Sequence, residues 1–151
     1  MIDVTYPEGA LSAEAREKLV AGLTTALLRA ERAPDTEFFR NVTWVYVHEL
    51  PAHAVNAAGA PVAEPTFRVM VTTPEGALSD RRREEMVASG TEVVLEAAGL
   101  SAEDSMRVWV IMREIDEGSW GAAGQVVQFK QLVEAAKHER ENAAEPVPAG
   151  G

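Results

Sequence analysis

The segment Val4-Thr5-Tyr6-Pro7-Glu8-Gly9-Ala10-Leu11-Ser12 recurs 67 residues later as Val71-Thr72-Thr73-Pro74-Glu75-Gly76-Ala77-Leu78-Ser79, with eight of nine positions identical. A match of that length in a 151-residue chain marks an internal duplication, and a duplication fixes the architecture before any single element does. The copies continue downstream. Leu19, Val20, Leu23, Ala26 and Leu27 are answered at the same intervals by Met86, Val87, Gly90, Val93 and Val94. Each set is the apolar stripe of an amphipathic helix. Ser12 and Ser79 stand where an N-cap hydroxyl accepts from orphan backbone N–H groups. The spacing predicts helices over residues 13–32 and 80–98, the second ended by Gly99 in a left-handed cap.

Short extended runs flank each helix. Residues 2–6 and 66–73 precede them, and 42–48 and 106–112 follow, all alternating and rich in β-branched or aromatic side chains, which reads as strand. Trp44-Val45 recurs as Trp109-Val110 and Glu49 as Glu114, now at a shift of 65, so the second helix-to-strand loop is two residues shorter. The unit is strand, helix, strand, with parallel strands and a right-handed crossover. Two such units predict an α+β fold: a four-stranded sheet with both helices on one face, then a short C-terminal helix and a disordered tail. The expected divisions are 1–64 for the first unit and linker, 65–141 for the second unit and C-terminal helix, and 142–151 for a Pro/Gly-rich tail. Helices on one face leave the other uncovered. Val42, Trp44 and Tyr46 share one face of their strand while Val45 and Val47 take the other, and Val108 and Val110 likewise oppose Trp109 and Ile111. That pattern predicts burial of the open face by oligomerisation.

Composition narrows the function classes. Fourteen basic against 24 acidic residues give a formal charge of −10, a field that repels nucleic acid and anionic lipid. No apolar run approaches the ~20 residues of a membrane span, and the first residues do not read as a signal peptide. With no cysteine in the chain, disulfides and thiolate metal sites are excluded, in keeping with a cytoplasmic location. His48, His53 and His138 show no ligand spacing, so no metal is expected. No phosphate cradle, nucleophile elbow or dinucleotide fingerprint occurs, and no cofactor is expected.

An opening strand, Glu8-Gly9, a short turn, a long helix and a second strand ending in Glu49 together resemble the 4-oxalocrotonate tautomerase subunit. The fused pair is similar to longer members of the tautomerase superfamily, of the cis-3-chloroacrylic acid dehalogenase and malonate semialdehyde decarboxylase kind. Glu117-Gly118-Ser119-Trp120-Gly121-Ala122-Ala123-Gly124 looks like the Gly-rich, Trp-containing stretch those proteins carry after their last long strand. The resemblance spans about residues 1–132. It implies a homotrimer of fused subunits with active sites at subunit edges. It also implies a cofactor-free isomerase, or a related lyase or hydratase, acting on a small oxo or enol acid. The family's base is an amino-terminal proline amine whose pKa is lowered in an apolar pocket.

The chain departs from that pattern in two ways. Aligned on Glu8-Gly9, the proline position falls one residue ahead of Met1. Pro65 is internal and its nitrogen is an amide, while Phe67 takes the equivalent place in the second copy. Three readings follow: an upstream Met-Pro start, a Met1 α-amine (ordinary pKa roughly 7.7–8.0) acting in the proline's place, or an oligomer that uses the fold without this chemistry. The family's carboxylate-binding arginines are missing too, with Ala10, Ala77, Trp44 and Trp109 at the corresponding positions, which disfavours a dianionic substrate. Carried onto this chain, the resemblance implies Met1, Glu37 and Arg40 as catalytic groups. It implies Arg68, Tyr46, Trp109 and Trp120 as substrate-binding ones. The competing readings are a solvated charge pair for Glu37 and Arg40, a strand-edge ion pair for Arg68, and sheet or interface packing for the aromatics. Arg81-Arg82-Arg83 reads as a solvated helix face.

Overall fold

In the computed structural model, which describes residues 1–144, the first unit comprises β1 (Ile2–Pro7), α1 (Ala13–Glu31), α2 (Glu37–Val42) and β2 (Val45–Leu50). The linker folds into a small hairpin of β3 (Asn56–Ala57) and β4 (Ala60–Pro61). The second unit comprises β5 (Phe67–Pro74), α3 (Asp80–Ala98) and β6 (Val108–Ile115). A second hairpin of β7 (Gly121–Ala122) and β8 (Gln125–Val126) leads into α4 (Phe129–Ala144). The long strands form one sheet in the order β2-β1-β5-β6. β1 pairs parallel with β2 and β5 parallel with β6, while β1 and β5 meet antiparallel. The four-stranded α+β architecture read from the duplication is therefore present.

Boundaries moved where local capping outweighed periodicity. α1 stops at Glu31 because Arg32 turns left-handed at φ 54 and closes the helix with bonds to the Arg29 and Leu28 carbonyls. β2 begins at Val45, three residues later than its alternation indicates. Thr36 caps a one-and-a-half-turn helix through Phe39 N, and the Thr43 hydroxyl donates to the Phe39 carbonyl, so residues 37–42 are helical. Ser12 accepts from Ala15 N as an N-cap should, whereas Ser79 holds the same position without a side-chain bond. α4 continues through Ala144, three residues into the segment read as tail; residues 145–151 lie outside the described residues.

The core lies between the sheet and α1 and α3. Ile2, Val4, Tyr6, Phe67, Val69 and Val71 meet Leu19, Leu23, Leu27, Met86 and Val94, all almost fully buried. A smaller cluster of Leu28, Phe39 and Ala136 ties α1, α2 and α4 together. The two long helices approach closely at Gly22. A Cβ built there would lie 2.7 Å from Val93 Cγ1 and 3.2 Å from Cγ2. Valine in a helix is held in one rotamer, so Val93 cannot swing aside. Gly22→Ala gains about 1 kcal/mol of helix propensity but overpacks at a typical cost of about 1–3 kcal/mol. We expect a lower urea midpoint for Gly22→Ala and its recovery in Gly22→Ala/Val93→Ala; a more stable single variant contradicts the close approach.

Candidate active site

Strand alternation sorts side chains to two faces. Ile2, Val4 and Tyr6 point to the helices, so Met1, Asp3 and Thr5 belong to the open face. The register then lines up Tyr46, Asp3, Met70 and Ile111 in one row across that face, and His48, Thr5, Arg68 and Trp109 in the next. Trp109 is 64% exposed, Trp44 60% and Tyr46 46%. Trp44 and Tyr46 pack edge to face with centroids 6.4 Å apart. The His48 ring lies 2.8 Å from an Asp3 carboxylate oxygen, and Arg68 donates to the Thr5 hydroxyl at 3.2 Å. With Leu50 and Met70 these four line a shallow depression of about 270 Å³.

The head of β1 extends the ladder past Ile2. The Met1 α-amine donates to the Thr72 carbonyl at 3.0 Å, and Thr72 N–H donates back to the Met1 carbonyl at 2.9 Å. Ile2 N–H donates to the Trp44 carbonyl at 2.8 Å, so the amine is set between β2 and β5. Although the Met1 side chain is 44% exposed, the amine itself is tucked against the sheet. Burial disfavours the ammonium form and lowers the amine pKa below its ordinary 8.0; the negative charges of Glu31, then Asp3, oppose that shift. Burial raises the Glu31 carboxyl above its ordinary 4.5, opposed by the amine's positive charge. This Glu31 was not among the residues singled out from sequence. Its signal was there: an acidic residue closes α1, where the helix dipole favours a cation.

The other groups implied by the resemblance fall apart in space. Arg40 is committed to Asp35 through a forked pair of 2.6 and 2.8 Å and reaches Thr25 at 3.4 Å. It lines a groove of about 680 Å³ between α1 and α3 that Met1 does not touch. Glu37 is exposed on α2, outside both depressions. Arg68, Tyr46 and Trp109 share the open face with Met1. Trp120 lies in the turn before β7, half-buried, with an indole N–H that is buried and finds no partner.

Two acidic strand ends carry structural work. Glu49 accepts from Arg16 at 2.8 Å and from the Tyr6 hydroxyl at 3.1 Å; Glu114 accepts from Arg83 at 2.8 Å and from Gly76 N–H at 3.2 Å. Arg16 and Arg83 are themselves 67 residues apart, so the duplication copied a helix-to-strand clamp. Burial and the Glu49 carboxylate push the Tyr6 phenol from 10.0 up to about 12. Above pH 10 the unfolded chain releases this proton while the folded chain keeps it, so stability should fall as pH rises towards 12. Tyr6→Phe should flatten that slope in denaturant titrations; an unchanged slope contradicts the assignment. Among the described residues no group of three His, Cys, Asp or Glu side chains is placed to hold a metal ion, and no helix is long and apolar enough to cross a membrane.

A family model described as "Tautomerase enzyme" matches residues 68–130. No curated protein sequence matches the chain significantly. Among solved structures, one titled as a wild-type fused 4-OT asymmetric trimer is 23% identical, with 83% of this chain and 94% of that one covered at a TM-score of 0.69. A structure titled Pt0534 inactivated by 2-oxo-3-pentynoate is 24% identical over 86% of this chain and 97% of that one, TM-score 0.71. A member of the cis-3-chloroacrylic acid dehalogenase family is 22% identical over 96% and 92%, TM-score 0.73. At these identities the structures speak for the fold, and the family match speaks for the second unit's sequence. The chain therefore has the fold of these fused tautomerases, two β-α-β units in one sheet, and its second unit matches the tautomerase family model.

Proposed function

We propose that the protein is a cofactor-free tautomerase-like isomerase, or a related lyase or hydratase, that acts on a small oxo or enol acid. The Met1 α-amine is the base. One observation carries this reading: the amine at the head of β1 is held by Thr72 and partly desolvated, so its neutral form is present at lower pH than in a free chain end. A neutral amine can take a proton from a carbon acid and return it to the neighbouring position. Donation of one N–H to Thr72 leaves the nitrogen lone pair available. The substrate's single carboxylate is bound by Arg68, or by Arg113 of β6, which pairs with Thr72 two residues beyond Ile111 on the open face, supplied across a subunit boundary. Two of the structural relatives named above carry support here: fused 4-OT is solved as a trimer, and Pt0534 was inactivated by an oxo acid. The working unit is accordingly a homotrimer that joins through the open sheet face, with a soluble small molecule as its partner.

The test is turnover of phenylenolpyruvate and 2-hydroxymuconate by protein whose intact mass establishes Met1 as its terminus. We expect measurable ketonisation above the buffer rate, rising with pH along a limb centred below 8.0. A verified Met1 terminus with no enol turnover, or with no pH dependence near neutrality, ends the proposal. The second reading, a catalytically silent oligomer of this fold, draws on Arg40 being locked to Asp35 and on the alanines at the family's arginine positions.

A further inference from the structure

The open face carries one polar cluster among its aromatic and aliphatic side chains. Across β2, β1 and β5 the register sets His48, Thr5 and Arg68 side by side, with Asp3 one alternation earlier on β1. Both long side chains turn toward β1: the His48 ring meets Asp3 at 2.8 Å, and the Arg68 guanidinium meets the Thr5 hydroxyl at 3.2 Å. Leu50 and Met70 complete the walls of the depression of about 270 Å³. Two bonding capacities in it are unspent. A guanidinium has five N–H donors in a planar fork; among the described residues Arg68 places one on a neutral hydroxyl and forms no ion pair. The acid in the wall, Asp3, is taken by His48. An ionised carboxylate only accepts hydrogen bonds, so Asp3 fixes the proton of a neutral His48 ring on Nε2 and leaves Nδ1 as a bare acceptor. No group among the described residues donates to that Nδ1. Covering this face with a second subunit desolvates an unpaired cation, which is costly unless an anion sits against it.

We propose that this depression is a subsite for a small 2-hydroxy or enol monocarboxylic acid: Arg68 holds the carboxylate in its fork, and the 2-hydroxyl donates to His48 Nδ1. This rests on the reading that Arg68 takes the substrate's carboxylate, and it names the group on the adjacent carbon. The spacing agrees. His48 and Arg68 stand two strand spacings apart, about 10 Å between Cα atoms, and both heads lean inward over β1. The carboxylate and hydroxyl of a 2-hydroxy acid sit on neighbouring carbons, so one short molecule bridges the two heads with a hydrogen bond of about 2.8 Å at each end. A 2-oxo acid offers Nδ1 only a second acceptor, and an unsubstituted acid offers it nothing. Charge sets the same limit on size. One negative charge on the ligand meets the unpaired guanidinium, and a second carboxylate in the depression would have no partner.

Lactate, pyruvate and propionate serve as probes, because they share one length and differ only at the second carbon. Their affinities are measured by calorimetry at pH 8 for the full chain and for Asp3→Asn, Arg68→Gln and Arg68→Lys, with the His48 tautomer read from its ring-nitrogen resonances by NMR. Wild type should bind lactate about five- to tenfold more tightly than either other probe, the worth of one hydrogen bond. An amide can donate to Nε2 as well as accept from it, so Asp3→Asn frees the tautomer and should bring the lactate preference down toward unity. Arg68→Gln should lose all three probes. Arg68→Lys keeps the charge without the fork and should weaken all three alike. Equal wild-type affinities, a preference unchanged in Asp3→Asn, or binding that survives Arg68→Gln overturns the proposal. So does a wild type that binds no probe at millimolar concentration, where a neighbouring subunit's carboxylate is the counter-ion of Arg68 instead. A protein that prefers lactate but shows no enol turnover keeps the subsite and loses the amine base; turnover without the preference does the reverse. Asp3 and Arg68 lie outside the buried core, and circular dichroism confirms the fold of each variant.

Discussion

Acetylation of the Met1 amine should reduce enol turnover by about 100- to 10,000-fold, the usual contribution of a positioned general base, while leaving the fold intact. The reason lies in how the first residue joins the sheet. An acetylated Met1 still has an N–H to donate to the Thr72 carbonyl, and its own carbonyl still accepts from Thr72 N–H. The ladder survives, so stability should change by less than about 1 kcal/mol. The lone pair does not survive, because amide resonance removes its basicity. A genetically added residue ahead of Met1 makes a second, independent version of the test. It displaces the amine by about 3.3 Å along the strand and turns it to the other face, so it too should abolish turnover. If either modified protein keeps more than a tenth of its activity, the base is elsewhere. Glu31 is then the first group to test, because burial raises its carboxyl above the ordinary 4.5 and a perturbed carboxyl is a candidate for proton transfer.

The pH dependence carries a stability consequence of defined sign. A folded-state amine pKa below 8.0 means that the unfolded chain binds the proton more readily than the native one. The native state is therefore favoured above the unfolded-state pKa and loses that advantage as pH falls through the folded value. The raised Glu31 acts in the opposite sense: its contribution is present at low pH and declines as the carboxyl ionises. Because each group's charge relieves the other's burial, removing either should steepen the remaining group's dependence.

The duplication made most of the fold legible, because an eight-of-nine match and a repeated helix stripe constrain two units at once. Alternation also placed the open face correctly: Trp109 and Ile111 do oppose Val108 and Val110, and they are the exposed side. What alternation missed at residues 37–42 was a competing local device. Two threonines bracket that segment and satisfy its backbone through side-chain bonds, and a short capped helix needs no long period to form. The site was less legible for a different reason. Its features are relations between distant segments, such as Met1 with Thr72 and Glu31, that leave no spacing pattern. The one linear clue, an acid closing α1, was readable only as an electrostatic oddity. Arg40 shows the converse problem: a charged residue near a functional landmark is more economically explained by its neighbour Asp35, five positions earlier.

The second large effect concerns the open face. Trp109→Glu combined with Ile111→Glu should convert the proposed trimer, three times the 16.3 kDa chain mass, into a folded monomer in sedimentation velocity. Trp109, Trp44 and Tyr46 leave much of their surface in water on this face, and a patch of that kind is uncommon on a monomer. Covering a tryptophan that is nearly two-thirds exposed stabilises association by roughly 2–4 kcal/mol, and each such contact occurs three times in a closed trimer. A glutamate in the same place reverses that gain and adds the cost of desolvating an unpaired charge, several kcal/mol per copy. The monomer should keep its fold, since neither residue belongs to the buried core and both point away from α3. Ionic strength supplies an orthogonal check. With a formal charge of −10 per chain, three copies repel one another, so the wild-type assembly should tighten as salt rises through about 0.15 M, where charges more than about 8 Å apart are screened. A salt-bridged interface responds in the opposite direction. A wild type that sediments as a monomer at micromolar concentration, or a double variant that remains trimeric, removes the open face from the assembly. The carboxylate-binding role given to Arg68 and Arg113 then falls as well, since it depends on a neighbouring subunit bringing them to the amine.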